Sequence, residues 1–181
     1  MRSLPISLQK VPELATPRLR LRGHRVEDFA AMCALWGDPE VARYTLGRPQ
    51  TSEEVWSRLL RYAGHWSLLG FGYWVVEEKA TGDFVGEAGL CDLQRAIDPP
   101  IDAPEIGWSL LPAHHGKGYA TEAARAILQW AEGEPLHATD IACIMVHENA
   151  ASQRVAAKLG FTRTHTVTYR GELTDVLYAS L

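Results

Sequence analysis

The chain has 181 residues, 46% apolar and 22% charged, with a formal net charge of −4. That length suits one domain, residues 1–181, whose single core buries roughly 70% of the unfolded surface, and the acidic balance argues against nucleic acid as a partner. No run approaches the ~20 uninterrupted apolar residues of a membrane helix, and Arg2, Pro5, Gln9 and Lys10 deny the N-terminus a signal-peptide core, so a cytoplasmic protein is expected. Residues 1–13 read as an N-terminal arm. Arg18 to Arg22 alternates as a short strand. Val26 to Trp36 reads as a helix opened by Glu27 and Asp28, and Ser52 to His65 as a second helix with Glu53 and Glu54 in its first turn. Phe71 to Glu78 and Phe84 to Leu93 are strands joined by the hairpin signal Thr81-Gly82-Asp83. The proline-rich segment from Arg95 to Pro104 is a loop, and Ile106 to Leu111 is a strand that Pro112 closes.

Tyr119 to Trp130 follows as a helix, with Ala120, Ala123, Ala124, Ile127, Leu128 and Ala131 at three- and four-residue spacing. Thr139 to Val146 is a strand and Ala150 to Leu159 a helix stopped by Gly160. Phe161 to Tyr169 and Glu172 to Ala179 are closing strands about Arg170-Gly171. This order predicts an α/β (α+β mixed) fold, a mostly antiparallel sheet of about seven strands flanked by about four helices. Cys33, Cys91 and Cys143 are scattered, with no C-x-x-C pair, and read as buried thiols in a reducing compartment.

The segment His114-His115-Gly116-Lys117-Gly118-Tyr119-Ala120-Thr121-Glu122-Ala123 carries the strongest chemical signal. A strand feeds a glycine-broken turn and then a helix, so open amides gather at the helix start beside Lys117. That is an anion site. A Walker loop is excluded, because Gly118 follows Lys117 and no glycine precedes at the required spacing; a dinucleotide fingerprint lacks its third glycine. The adjacent His114 and His115 diverge on extended backbone and have no carboxylate or thiol nearby, so no metal is implied.

This segment resembles the coenzyme A pyrophosphate loop of the GNAT superfamily of N-acetyltransferases, Q/R-x-x-G-x-G/A, with His115, Gly118 and Ala120 in its three defined positions. His115 departs from the Gln or Arg of the pattern. The likeness spans nearly the whole chain. Thr16-Pro17-Arg18-Leu19-Arg20-Leu21-Arg22, with Asp38-Pro39-Glu40-Val41, is similar to the N-terminal signature of the branch that acetylates ribosomal-protein N-termini. Gly72 to Val76, Thr81 to Gly86 and Glu105 to Leu110 resemble its central strands, and Asn149 to Val155 with Lys158-Leu159-Gly160-Phe161 its last helix.

The resemblance implies a GNAT fold, acetyl-CoA as cosubstrate and transfer of the acetyl group by direct attack of a primary amine. The amine is a peptide N-terminus or a small molecule, and the protein a monomer or homodimer. Trp108, Ser109 and Leu110 are expected to face the pantetheine arm, with Leu110 polarising the acetyl carbonyl, a fixed donor of the kind acyl transfer requires. His115, Gly116, Lys117, Gly118, Tyr119 and Ala120 are expected to hold the pyrophosphate. Asn149 reads on its own as a helix N-cap and Ser152 as an N3 residue; the resemblance adds a pantetheine contact for Asn149 and thiolate protonation for Ser152. Glu105 is a candidate general base, with Glu87 and His147 as alternatives. Asp38 to Pro49 and the loop carrying Asp98, Asp102 and Glu105 are expected to border the acceptor, where acidity favours a cationic amine. A non-catalytic acyl-CoA-binding module remains the other reading.

Overall fold

Alternating and continuous apolar runs fold into one eight-stranded sheet in the computed structural model, which describes residues 11–133 and 136–181. The strands are β1 (Leu14–Ala15), β2 (Leu19–Arg22), β3 (Tyr73–Glu78), β4 (Phe84–Cys91), β5 (Glu105–Leu110), β6 (Asp140–Val146), β7 (Thr162–Tyr169) and β8 (Glu172–Ser180). The helices are α1 (Phe29–Trp36), α2 (Pro39–Arg43), α3 (Ser52–Leu69), α4 (Tyr119–Glu132) and α5 (Ala150–Lys158). The sheet runs β1-β2-β3-β4-β5-β6-β8-β7, and every neighbouring pair is antiparallel except β5 with β6. Among the described residues no helix is long and apolar enough to cross a membrane.

Two apolar clusters fix the layers. Beneath α4, Ala123, Ala124, Ile127 and Leu128 meet Leu90, Ile106, Leu110 and Ile141. Each fully buried aliphatic side chain contributes roughly 1.5–3 kcal/mol of transfer free energy. Met32, Leu35 and Trp36 of α1 pack with Val55, Leu59 and Tyr62 of α3 in the second cluster. Trp66, Trp74 and Trp130 meet edge to face, with centroids 4.7, 5.7 and 5.2 Å apart, and join α3, β3 and α4.

The sequence reading differs at several places. The sheet has eight strands because Leu14–Ala15 pairs with β2, and residues 11–13 lie against the sheet, where Trp74 Nε1–H donates to the Pro12 carbonyl at 2.7 Å. The rest of the expected arm, residues 1–10, lies outside the described residues. A fifth helix, α2, starts at Asp38, whose carboxylate accepts the amides of Glu40 and Val41, with Pro39 preset at the first helical position. Val26–Asp28 is a tighter 3-10 turn ahead of α1. α3 opens with a Thr51–Glu54 capping box and runs past His65 to Leu69, where Gly70 takes a left-handed φ of 75°. Strand-face alternation also fails at Arg22. It is buried, because its guanidinium bonds Asp28 at 2.6 and 2.8 Å and Glu77 at 2.6 Å, the pairing that makes a buried charge tolerable.

Candidate active site

β5 is fully paired on one side only. Its partners on β4 run from Gly86↔Leu110 to Cys91↔Glu105, and the Leu111 amide continues to the Val85 carbonyl at 3.0 Å. On the other side the sole bridge among the described residues is Glu105↔Ala142, with the Ala142 amide donating to the Pro104 carbonyl at 2.9 Å. Backbone groups alternate in direction along a strand, so Ile106, Trp108 and Leu110 turn their amides toward β6. β6 has already parted from β5 at that level, and the Trp108 and Leu110 amides face the gap. Ser109 departs from expectation: its backbone turns to β4, opposite Glu87.

The chain leaves β5 through a 3-10 turn, Pro112–His114, and enters α4 through two left-handed glycines, Gly116 (φ 73°) and Gly118 (φ 80°). A side chain at either position is strained by the backbone itself. Among the described residues the amides of Gly116, Lys117 and Gly118 donate to no backbone carbonyl. The first amides of α4, from Tyr119, Ala120 and Thr121, have no carbonyl one turn earlier, and Gly118 caps the helix without a side chain. The turn therefore presents a run of open donors at the positive end of a 14-residue helix. His115 Nε2–H donates to the Leu110 carbonyl at 2.8 Å, and its Nδ1 lies 3.4 Å from a Glu40 carboxylate oxygen. Tyr119 is buried and its hydroxyl donates to Glu78, a bond that raises the phenol pKa. Ala120 is half-buried against the α4 cluster.

Across the gap, Asn149 caps α5. Its side-chain oxygen accepts the Ser152 amide at 3.1 Å. Counting equally from the Glu105↔Ala142 bridge puts His147 level with Leu110, so Asn149 and Ser152 begin α5 at the open end of the gap.

The candidate bases separate by geometry. Both Glu105 oxygens are taken by Arg95, at 2.6 and 2.7 Å. This bidentate pair, invisible in sequence because Arg95 comes from an irregular loop, engages both Glu105 oxygens and offsets the carboxylate's charge. It also removes Glu105 from the expected acidic mouth. Glu87 is fully buried on the α1–α3 side of the sheet, where it accepts Trp36 Nε1–H at 2.8 Å and the Tyr62 hydroxyl at 3.1 Å, with His24 Nε2 also at 3.1 Å. His147 is half-exposed. Its Nδ1 lies 3.0 Å from the buried Asp175 carboxylate. On the Glu87 side of β5, Tyr62 and Tyr73 stack at 4.7 Å, and Tyr73 so covers Gly107 that an added methyl would lie 2.1 Å from its hydroxyl. Among the described residues no group of three or more His, Cys, Asp or Glu is placed to hold a metal ion.

Residues 18–162 match the family model described as an acetyltransferase (GNAT) domain. The chain is 34% identical over 159 residues to the uncharacterized protein YkkB of Bacillus subtilis, covering 86% of this chain and 88% of that one. It is 33% identical over 170 residues to the FsC-acetyl coenzyme A-N(2)-transacetylase of Aspergillus fumigatus, covering 89% and 69%. A GnaT-family acetyltransferase structure from Bordetella pertussis superposes with a TM-score of 0.80 at 26% identity, over 92% of this chain and 98% of that one. Two structures share the fold at lower identity: a ribosomal-protein-S5-alanine acetyltransferase from Vibrio fischeri (TM-score 0.73, 18% identity, 93% and 96% covered) and a spermidine N-acetyltransferase from Vibrio cholerae in complex with CoA and spermine (0.73, 19%, 91% and 96%). The half-open strand, the glycine turn with its orphan amides and the matched family model converge: the chain belongs to the GNAT family and is an acetyl-CoA-dependent N-acetyltransferase.

Proposed function

We propose that acetyl-CoA lies in the gap between β5 and β6 and that its acetyl group passes directly to a primary amine approaching from the Glu87 face of the sheet. One observation carries this reading. The strand with open amides at Trp108 and Leu110 leads within a few residues into the turn whose amides meet no backbone carbonyl among the described residues. When bound, the thioester supplies the activated acetyl carbonyl. The Leu110 amide meets charge developing on the carbonyl oxygen, a contribution that grows toward the transition state. Gly116, Lys117, Gly118, Tyr119 and Ala120 cradle the pyrophosphate through backbone donors, and Lys117 adds a positive charge. His115 acts on this turn from inside, through the Leu110 carbonyl. Asn149 contacts the pantetheine arm, and the Ser152 hydroxyl stands ready to protonate the departing sulfur.

Tyr62 and Tyr73 wall the acceptor side. An α-amine with a pKa near ~8 sheds its proton to solvent with little help. No acyl-enzyme is formed. Cys91 and Cys143 are buried, and desolvation pushes both thiols well above their ordinary range; Cys33, expected to be buried as well, is half-buried in α1, packed against the α1–α3 cluster.

The relatives' names span a ribosomal-protein alanine and spermidine, and the acceptor proposed here is the feature those share, an amine. Thiol release from acetyl-CoA against an alanine-terminated peptide, a polyamine and a lysine analogue tests the reading. Turnover with at least one supports it, whereas CoA binding without turnover across the panel supports a non-catalytic module.

A further inference from the structure

Arg18 lies 104 residues from Glu122 in sequence, yet the two form the most elaborated contact beside the glycine turn. Glu122 Oε2 accepts Arg18 Nε–H at 2.7 Å and lies 2.6 Å from Nη2, while Oε1 accepts the Arg18 amide at 2.9 Å and the Thr16 hydroxyl at 2.6 Å. With the guanidinium fixed on two edges, its Nη1–H donates to the Lys117 carbonyl at 2.9 Å, and its plane lies 4.6 Å over the Tyr119 ring.

The consequence lies in the next peptide unit. In a planar trans peptide the carbonyl and the following N–H point in opposite directions, and the Lys117–Gly118 bond is trans, since Asp98–Pro99 is the cis bond among the described residues. Holding the Lys117 carbonyl toward β2 therefore turns the Gly118 amide away from Arg18, on the side where no backbone carbonyl receives it. A left-handed glycine is the residue type most free to flip such a peptide, so an external clamp has work to do here.

We propose that Arg18, aligned by Glu122, is a positioning residue that sets the Gly118 amide for the CoA pyrophosphate. The inference rests on the site reading above. A plain charge effect predicts a different outcome. Glu122 sits in the first turn of α4, where a negative charge opposes an incoming anion, so deleting it would tighten CoA binding by electrostatics alone. A clamp predicts the reverse, because Arg18 then loses the partner that aligns it.

The experiment is calorimetric titration of CoA into the wild type and into Arg18→Ala, Arg18→Lys and Glu122→Ala, beside thermal melts and steady-state kinetics. Arg18→Ala is expected to bind CoA roughly tenfold more weakly, with KM for acetyl-CoA raised and kcat at saturation retained. Glu122→Ala is expected to weaken binding despite removing a negative charge. Arg18→Lys, which keeps the charge without the forked geometry, is expected to resemble Arg18→Ala. Tighter binding by Glu122→Ala, or wild-type affinity in folded Arg18→Lys, would overturn the clamp while leaving the site reading intact. Absence of CoA binding by the wild type would overturn the site reading and the clamp with it.

Discussion

His115 Nε2–H donates to the Leu110 carbonyl at 2.8 Å, tying the glycine turn back onto the last residue of the half-open strand. A carbonyl can only accept, so this nitrogen carries the proton. The family pattern has Gln or Arg at this position, and a histidine that reaches the strand carbonyl supplies the same kind of donor. His115→Ala should cost about 1 kcal/mol of stability and raise the Kd for acetyl-CoA, while His115→Gln recovers most of both. Thermal melts beside calorimetry measure this; an alanine variant with unchanged affinity would place His115 outside the cradle's support.

Gly118→Val sets a branched side chain on a left-handed φ of 80° and against Arg18, whose Nη2 an added Cβ would meet at 3.5 Å, so the turn that holds the open amides must rearrange. The variant should lose acetyl-CoA binding at least tenfold, a difference of about 1.4 kcal/mol, whereas Lys117→Ala should lose less and in a salt-sensitive way. Calorimetry at two ionic strengths separates the two. Equal affinity of a folded Gly118→Val protein would contradict the cradle.

Asn149 and Ser152 share one hydrogen bond but predict different kinetics. Asn149→Ala removes the α5 cap, at a cost of roughly 1 kcal/mol, and should raise the KM for acetyl-CoA. Ser152→Ala leaves the cap acceptor in place. Its loss should fall on kcat with little change in KM, because protonating sulfur matters only as charge develops there. Wild-type kcat in Ser152→Ala would assign the proton to solvent.

Asp175 gives the fold an acid limit. Burial alone raises its carboxyl, but hydrogen bonds from Thr166 and His147 and the charges of His147 and Arg163 outweigh it and hold the group below its ordinary value. The unfolded chain therefore binds this proton more readily than the folded one. The stabilisation is complete above the unfolded pKa of about 4 and is lost as pH falls through the lower folded value. Asp175→Asn should melt at a lower temperature near neutrality and show a flatter decline of Tm below about pH 4. A variant whose acid limb parallels the wild type would assign the acid sensitivity to Asp28 and Glu122, which are likewise held low.

Local signals carried most of the fold. Apolar spacing located α4, and turn chemistry at Thr81-Gly82-Asp83 marked the β3–β4 hairpin. β1 escaped because two residues give no periodicity. α2 is five residues long, and its Asp38-Pro39 start was readable, although no amphipathic stripe followed. The glycine turn and the Asn149 cap were legible because a backbone conformation demands particular residue types locally. Pairings between distant residues were not. Glu105 looks like a free strand-end carboxylate until Arg95 folds onto it, Arg22 looks exposed until Asp28 and Glu77 surround it, and Arg18 looks like a strand residue until Glu122 arrives from α4.

The most direct measurement is an amide spectrum of the 15N-labelled protein titrated with CoA. The largest shifts should fall on Gly116, Lys117, Gly118, Tyr119 and Ala120, with a second group at Trp108, Leu110 and Asn149 across the gap. Shifts confined to other surfaces, such as the loop around Arg95 and Ile101, with the glycine turn unmoved, would contradict the account.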